Sequence, residues 1–318
     1  MIPFPIIKTI VRQWGLSCKK IRPDLPLEGS PERSLWRAAF EDEAGGLFVL
    51  EQIVPSLKKN KERISRTLDG LYRCGFTVVV PSLKILTGAP LGFYDGFWWQ
   101  VTPYVTGIPL ARPGYIHDSE RGTSLARVLE DLYRCGRELL PAPDLPVFSL
   151  KRYVLKLEQD MKRYDPAAAE WFAPVFDFLR RSFFDAHDAL PTTFCHGDFH
   201  PLNVIWQNSD ITAVIDWEFC GFKPDIYDAA NLVGCVGMEH PSGLTGGLAT
   251  AFIHSLKQAA VISDHGWRFL PEWVTAMRFA WLAEWLRKKD GEMIDLEAVY
   301  MNLLVKNAET LRDEWDSL

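Results

Sequence analysis

The sequence predicts an α+β fold, a small antiparallel sheet followed by a larger and mainly helical part. Three observations carry this prediction. Runs rich in Val, Phe, Trp and Thr, bounded by Gly/Pro turns, cluster before residue 106. Long segments with helical periodicity dominate after residue 124. Between them, residues 107 to 123 hold the prolines and glycines suited to a connector, so the chain is expected to divide into 1–106 and 107–318.

Taken in order, FPIIKTIVRQWGL (4 to 16) places Ile6, Ile10, Val11 and Trp14 on one helical face and ends at Gly15, which predicts a short amphipathic helix. CKKIRPDLPLEG, SLWRAAFED and LFVLEQI favour β structure and are separated by the turns GSPER and EAGG, as three antiparallel strands would be. Residues 59 to 74 predict a helix with Ile64, Leu68 and Leu71 on one face and Gly75 as its stop. VVVPSLKIL (78 to 86) and FWWQVTPYV (97 to 105) add two more strands. The second part opens with a helix over 125 to 140, then a proline-rich loop, then helices near 150 to 163 and 167 to 187. NVIWQ (203 to 207) and TAVIDW (212 to 217) flank the polar turn NSD and read as a hairpin. Helices are expected again over 246 to 261, 271 to 289 and 295 to 315, with Pro271 in a first turn and Gly291 as a stop.

Composition narrows the function classes. A chain of 318 residues with 47% hydrophobic content can bury one large core or two smaller ones. A formal net charge of -6 argues against nucleic-acid or anionic-membrane partners. Cys18, Cys74, Cys135, Cys195, Cys220 and Cys235 show no paired spacing, and no secretory leader is recognisable, so reduced thiols in a cytoplasmic protein are expected. No apolar run approaches the roughly 18 to 20 residues needed to span a bilayer. No internal repeat is evident, and no oligomeric state follows from the sequence.

The chemistry is concentrated in HGDFHPLN (196 to 203) and VIDWEF (214 to 219). These supply one carboxylate, Asp198, an amide five residues later, Asn203, and a second carboxylate, Asp216, at the end of an apolar run. Such a set suits phosphoryl transfer: Asp198 to orient and deprotonate an attacking hydroxyl, Asn203 and Asp216 as the hard oxygen ligands Mg2+ prefers. Gly197 and Pro201 keep the loop from becoming a helix, so that base and ligand face a common point. A zinc site built on Cys195, His196 and His200 is disfavoured, because nothing nearby completes four ligands.

HGDFHPLN, the IDWE segment and GFKPDIYDAANL (221 to 232) together resemble the aminoglycoside phosphotransferase and choline kinase family, within the protein-kinase-like fold. The resemblance implies a two-lobed molecule, with 1–106 as the nucleotide-binding lobe and 107–318 as the catalytic and substrate-binding lobe. It implies ATP or GTP with Mg2+, and transfer of the γ-phosphate to a hydroxyl on a small molecule such as an aminoglycoside, a cationic choline-like amine, an amino alcohol or a sugar. HGD in place of HRD, and the lack of an APE-like segment, argue against a protein substrate.

Residue by residue, the resemblance makes Asp198 the base, with His196 in the same catalytic loop as a brace, and Asp228 the structural aspartate. It places Gly29 and Ser30 over the nucleotide phosphates, Val49 against adenine, and Val101 to Tyr104 at the adenine edge, where Pro103 lacks an N–H. Acceptor candidates are His200, Glu218, Trp281, Glu284 and Trp285. The stripe Trp273, Met277, Trp281, Trp285 reads either as a packed seam or as an aromatic wall for a cationic acceptor.

The sequence departs from the family at Glu51, where a phosphate-binding lysine is expected. Alternation puts Glu51 on the face of Val49, where a carboxylate would repel phosphates. Three explanations stand: Arg37, Lys58, Lys59 or Lys61 replaces the lysine, Glu51 reaches a metal ion, or the chain is a nucleotide-binding scaffold of little activity. The helical glutamate that normally partners the lysine is also displaced, with Ile64 in its place and Glu62 two residues away.

Overall fold

The computed structural model describes residues 2–27, 34–139 and 148–318. Gly29 and Ser30 therefore lie outside the described residues. The fold is of the expected α+β class, an antiparallel five-stranded sheet in the N-terminal region and a mostly helical remainder.

By their contacts the residues form two compact units. The first gathers the chain up to Pro109 and also Leu202–Phe219. The segment carrying Asp216 belongs to this first unit although it lies far along the chain.

In that unit α1 (Phe4–Val11) runs into a 3-10 turn and stops at Gly15, whose φ of 71° is left-handed. Its Ile7, Ile10, Val11 and Trp14 cover one face of the sheet, meeting Phe40, Leu50, Trp99 and Val101. The strands are β1 (Cys18–Ile21), β2 (Ser34–Asp42), β3 (Leu47–Ile53), β4 (Gly92–Tyr94) and β5 (Phe97–Pro103), in the order β1-β2-β3-β5-β4. Their register sets Arg37 opposite Glu51 and Glu51 opposite Gln100.

Residues 78 to 86 are not the strand expected. Pro81 cannot donate to a ladder, and the backbone bonds of this stretch scatter to separate partners. Val214 N–H reaches the Val78 carbonyl at 2.7 Å, Leu83 N–H the Val101 carbonyl at 2.8 Å, and Leu86 N–H the Gln13 carbonyl at 2.8 Å. The fifth strand is supplied by β4. Helix α2 (Lys58–Arg73) buries Ile64, Leu68 and Leu71. The hairpin β7 (Val204–Gln207) and β8 (Asp210–Val214) turns through Asn208 at φ 56°, and Val214 also bridges Val79.

Among its described residues the second unit is helical and irregular apart from β6 (Thr192–Cys195), which pairs antiparallel with β9 (Gly221–Pro224). Helix α3 (Ser119–Gly136) packs on α8 (Gly247–Ala259), where a Cβ on Gly122 would collide with the Leu248 carbonyl oxygen. Two expected helices are each divided. α5 (Pro166–Trp171) and α6 (Ala173–Ala186) part at Phe172, and α11 (Gly291–Lys306) and α12 (Ala308–Asp316) part at Asn307. Gly291 does not stop α10 (Leu270–Lys288): Lys289 does so in a left-handed conformation, and Gly291 opens α11 behind its N-cap Asp290. α7 (Tyr227–Glu239) packs on α10, whose Trp273 is fully buried. Among the described residues no helix is long and apolar enough to cross a membrane.

Candidate active site

Strand alternation builds the wall of a pocket in the first unit. On β3, Val49 and Glu51 line it, while Leu50 between them is buried on the other face against α1. On β5, Gln100 and Thr102 line it, and Val101 turns into the α1 core instead. Val101 therefore has its side chain away from the pocket. At the strand end Tyr104 lines the pocket, but its N–H is bound to the Leu47 carbonyl at 2.9 Å and Pro103 has none. The backbone donors expected there are thus reduced at both positions.

Lys61, Ile64 and Leu68 follow at helical spacing from α2 and close another side. Ile205, Val214 and Ile215 of the hairpin give it an apolar wall beside the acids Asp216 and Glu218.

The Lys61 ammonium lies 2.9 Å from Glu218 and 3.4 Å from Glu51. Its side chain is only 10% exposed. Burial pushes the lysine pKa down, but the two carboxylates outweigh that and hold it above the usual lysine value, so it stays charged. Glu51 thus does not face the pocket as a bare negative charge. Glu218, an acceptor candidate by sequence, instead joins Lys61 in this pocket.

Asn203 and Asp216 stand at one end of the hairpin. Val204 pairs with Val214, and the next rung is the Ile215 N–H donating to the Asn203 carbonyl at 2.9 Å. Asp216 follows at φ 70°, a left-handed conformation that aspartate tolerates better than most residues. An amide oxygen and a carboxylate are hard donors of the kind Mg2+ takes when phosphates and waters supply the rest.

In the second unit β6 delivers the segment His196 to His200. Asp228, on the first turn of α7, accepts the N–H groups of His196 at 2.7 Å and Gly197 at 2.8 Å. Gly197 has a φ of 88°, which a side chain would strain. The Nδ1 of His196 accepts the Asp198 N–H at 3.2 Å, so this ring is a brace for the loop.

The Asp198 side chain is 18% exposed, with His200 Nε2 at 3.7 Å and Asn231 Nδ2 at 3.5 Å from its Oδ1. Asn231 also donates to the Phe199 carbonyl at 3.2 Å. Sequence reading missed Asn231, although its place three residues after Asp228 puts both on one face of α7.

His200 meets the edge of Trp281 with ring centroids 6.4 Å apart, and Trp281 stacks on Trp285 at 6.3 Å. Both indoles are half-buried. Glu284 is held by Arg287 at 2.6 Å and Lys288 at 3.0 Å, whose hydrogen bonds draw its pKa down to about 2. Trp273 is not part of this wall; it lies in the core against Phe183 and His187. Burial pushes the Cys195 thiol well up and that of Cys235 to about 12, so neither of these two offers a nucleophile.

The structure is similar to solved small-molecule kinases. A microcompartment-associated aminopropanol kinase matches with a TM-score of 0.72 at 16% identity, over 98% of this chain and 99% of that one. An aminoglycoside phosphotransferase from Alicyclobacillus acidocaldarius matches at 0.66 and 18% identity, over 100% and 97%. The aminoglycoside 2'-phosphotransferase-IIIa, solved with GDP, matches at 0.67 and 16% identity, over 96% and 98%. Comparison with curated protein sequences returns no match. The phosphotransferase enzyme family matches in sequence over residues 36–273, three-quarters of the chain, including β3, β5, the loop after β6 and the hairpin, and the chain belongs to that family.

Proposed function

We propose that this chain transfers the γ-phosphate of ATP or GTP to a hydroxyl group of a small molecule. The observation that carries the reading is the end of the β7–β8 hairpin, which sets Asn203 and Asp216 together and brings Asp216 to the wall of a pocket with both apolar and cationic sides. Val49, Ile205, Val214 and Ile215 suit the faces of a base, and Lys61 and Arg37 suit phosphate oxygens.

Asp198 takes the proton of the acceptor hydroxyl as its oxygen bonds to the γ-phosphorus. The bond from that phosphorus to the bridging β-γ oxygen breaks, and the nucleoside diphosphate leaves with the electron pair. His196 and Asp228 keep the Asp198 backbone in place. Asn231 orients its carboxylate. Asn203 and Asp216 would hold Mg2+, which neutralises charge on the phosphates.

The acceptor is a hydroxylated small molecule bound beside His200, Trp281 and Trp285, with a cationic group favoured by the indole faces. A scaffold without transferase activity is less well supported, because its motive was an unopposed Glu51 and Lys61 stands against that residue. The setting is a cytoplasmic one on this reading. The test is nucleotide consumption against a panel of amino alcohols, aminoglycosides and sugars. Asp198→Asn should reduce turnover by about 10²- to 10⁴-fold while nucleotide still binds. Near-normal turnover in that variant would refute the assignment.

A further inference from the structure

In the resembling family the strand carries the lysine and the helix its acid. Here β3 carries Glu51 and α2 carries Lys61, and the two still meet, at 3.4 Å. We propose that strand and helix have exchanged charges, so that Lys61 is the cation that binds the nucleotide phosphates and Glu51 and Glu218 are the positioning residues that aim it. The inference rests on the nucleotide reading above and concerns how the same pocket works.

Geometry selects Lys61 among the basic residues the sequence offered. Lys59 is exposed on the far side of the helix. Lys58 pairs with Glu62 at 3.2 Å and lies over the Trp98 ring at 4.0 Å. Arg37 does line the pocket, but it sits on β2 and a guanidinium N–H goes to the Leu27 carbonyl at 3.2 Å. Lys61 is the buried one, and it lies in the wall.

Its donor count fits the role. An ammonium has three N–H donors and no acceptor. The carboxylates of Glu218 and Glu51 take two directions, the contacts to both Glu51 oxygens being long at 3.4 and 3.5 Å, and a phosphate oxygen can take the third.

Charge fits as well. Glu51 has Lys61 on one side and, in cross-strand register, Arg37 on the other. Its repulsion of a phosphate is therefore offset locally, and its remaining task is to hold the ammonium in place. This inverts the expectation from sequence alone that the Glu51 carboxylate acts on the phosphates by repelling them.

The experiment is calorimetric titration of the full chain with Mg-ATP and, separately, with adenosine, alongside thermal melts. Lys61→Met should weaken Mg-ATP binding tenfold or more and leave adenosine binding unchanged. Glu51→Gln should weaken Mg-ATP binding about threefold by loosening the lysine. The double exchange Glu51→Lys with Lys61→Glu should recover most of the affinity lost in Lys61→Met. Unchanged Mg-ATP affinity in Lys61→Met overturns the proposal, as does an equal loss of both ligands with a lowered melt, the result of a purely structural strut. Tighter binding in Glu51→Gln also overturns it. A double exchange that melts like wild type yet does not recover overturns it too. A wild type that binds neither ligand refutes the nucleotide reading itself, whereas binding indifferent to Lys61 refutes only the exchange.

Discussion

Asp228 joins α7 to the loop that follows β6 by accepting the Gly197 N–H at 2.8 Å on one carboxylate oxygen, with the His196 N–H at 2.7 Å on the other. The carboxyl is fully buried, and burial pushes its pKa from 3.8 to about 6 against the opposing pull of the two backbone donors.

A pKa raised in the fold means the folded state binds this proton more tightly than the unfolded chain. The associated stability is fully present below 3.8 and is lost as pH rises through about 6. Wild type should therefore lose stability relative to Asp228→Asn between pH 4 and 7, while the variant stays about 1 to 3 kcal/mol less stable near pH 4 because one N–H is left without its acceptor. Urea unfolding of both proteins across that range tests this, and a flat difference would count against it.

Asn203 and Asp216 should separate from Asp198 in how they fail. Replacing Asp216 by Asn is expected to weaken Mg-ATP binding tenfold or more, flatten the dependence of affinity on Mg2+ and leave metal-free adenosine binding intact. Titration with and without the metal decides. If the metal dependence is unchanged, Asp216 is not a ligand.

The tryptophan stripe divides into core and surface. Trp273 packs edge-on to Phe183 at 5.0 Å and stacks on His187 at 5.2 Å, so Trp273→Ala should cost about 3 to 5 kcal/mol of stability and leave acceptor preference alone. Trp281→Ala should destabilise less and weaken a cationic acceptor by about 0.5 to 2 kcal/mol relative to a neutral one. Acceptor preferences that move equally in the two variants would contradict the division.

Arg278 and Glu297 form an ion pair with side chains 4% and 0% exposed, and the Trp285 indole N–H donates to the same carboxylate at 3.4 Å. Arg278→Met alone should destabilise by about 3 to 5 kcal/mol, because Glu297 would be left buried and unopposed. Arg278→Met combined with Glu297→Leu should recover most of that. Chemical denaturation of the single and double variants is the measurement; equal losses in both would show that packing, not the stranded charge, is responsible.

The sequence by itself determined what depends on neighbours along the chain. Gly197 in HGDFHPLN, the polar turn that folds the β7–β8 hairpin, and the alternation that puts Val49 and Glu51 on one face all arise from local backbone chemistry. The α+β class followed from the same periodicities. Residues 78 to 86 were misread because an apolar run with strand composition does not reveal that its backbone partners lie on separate segments. The stripe on α10 showed which residues share a face, but what covers that face, Phe183 over Trp273 and His200 beside Trp281, comes from segments distant in sequence. Lys61 is the clearest case. Its composition and spacing did not distinguish it from Lys58 or Lys59, and only the folded chain, by bringing β3, α2 and the residues after β8 together, set one ammonium between Glu51 and Glu218, where burial and opposite charge make that position unlike the others.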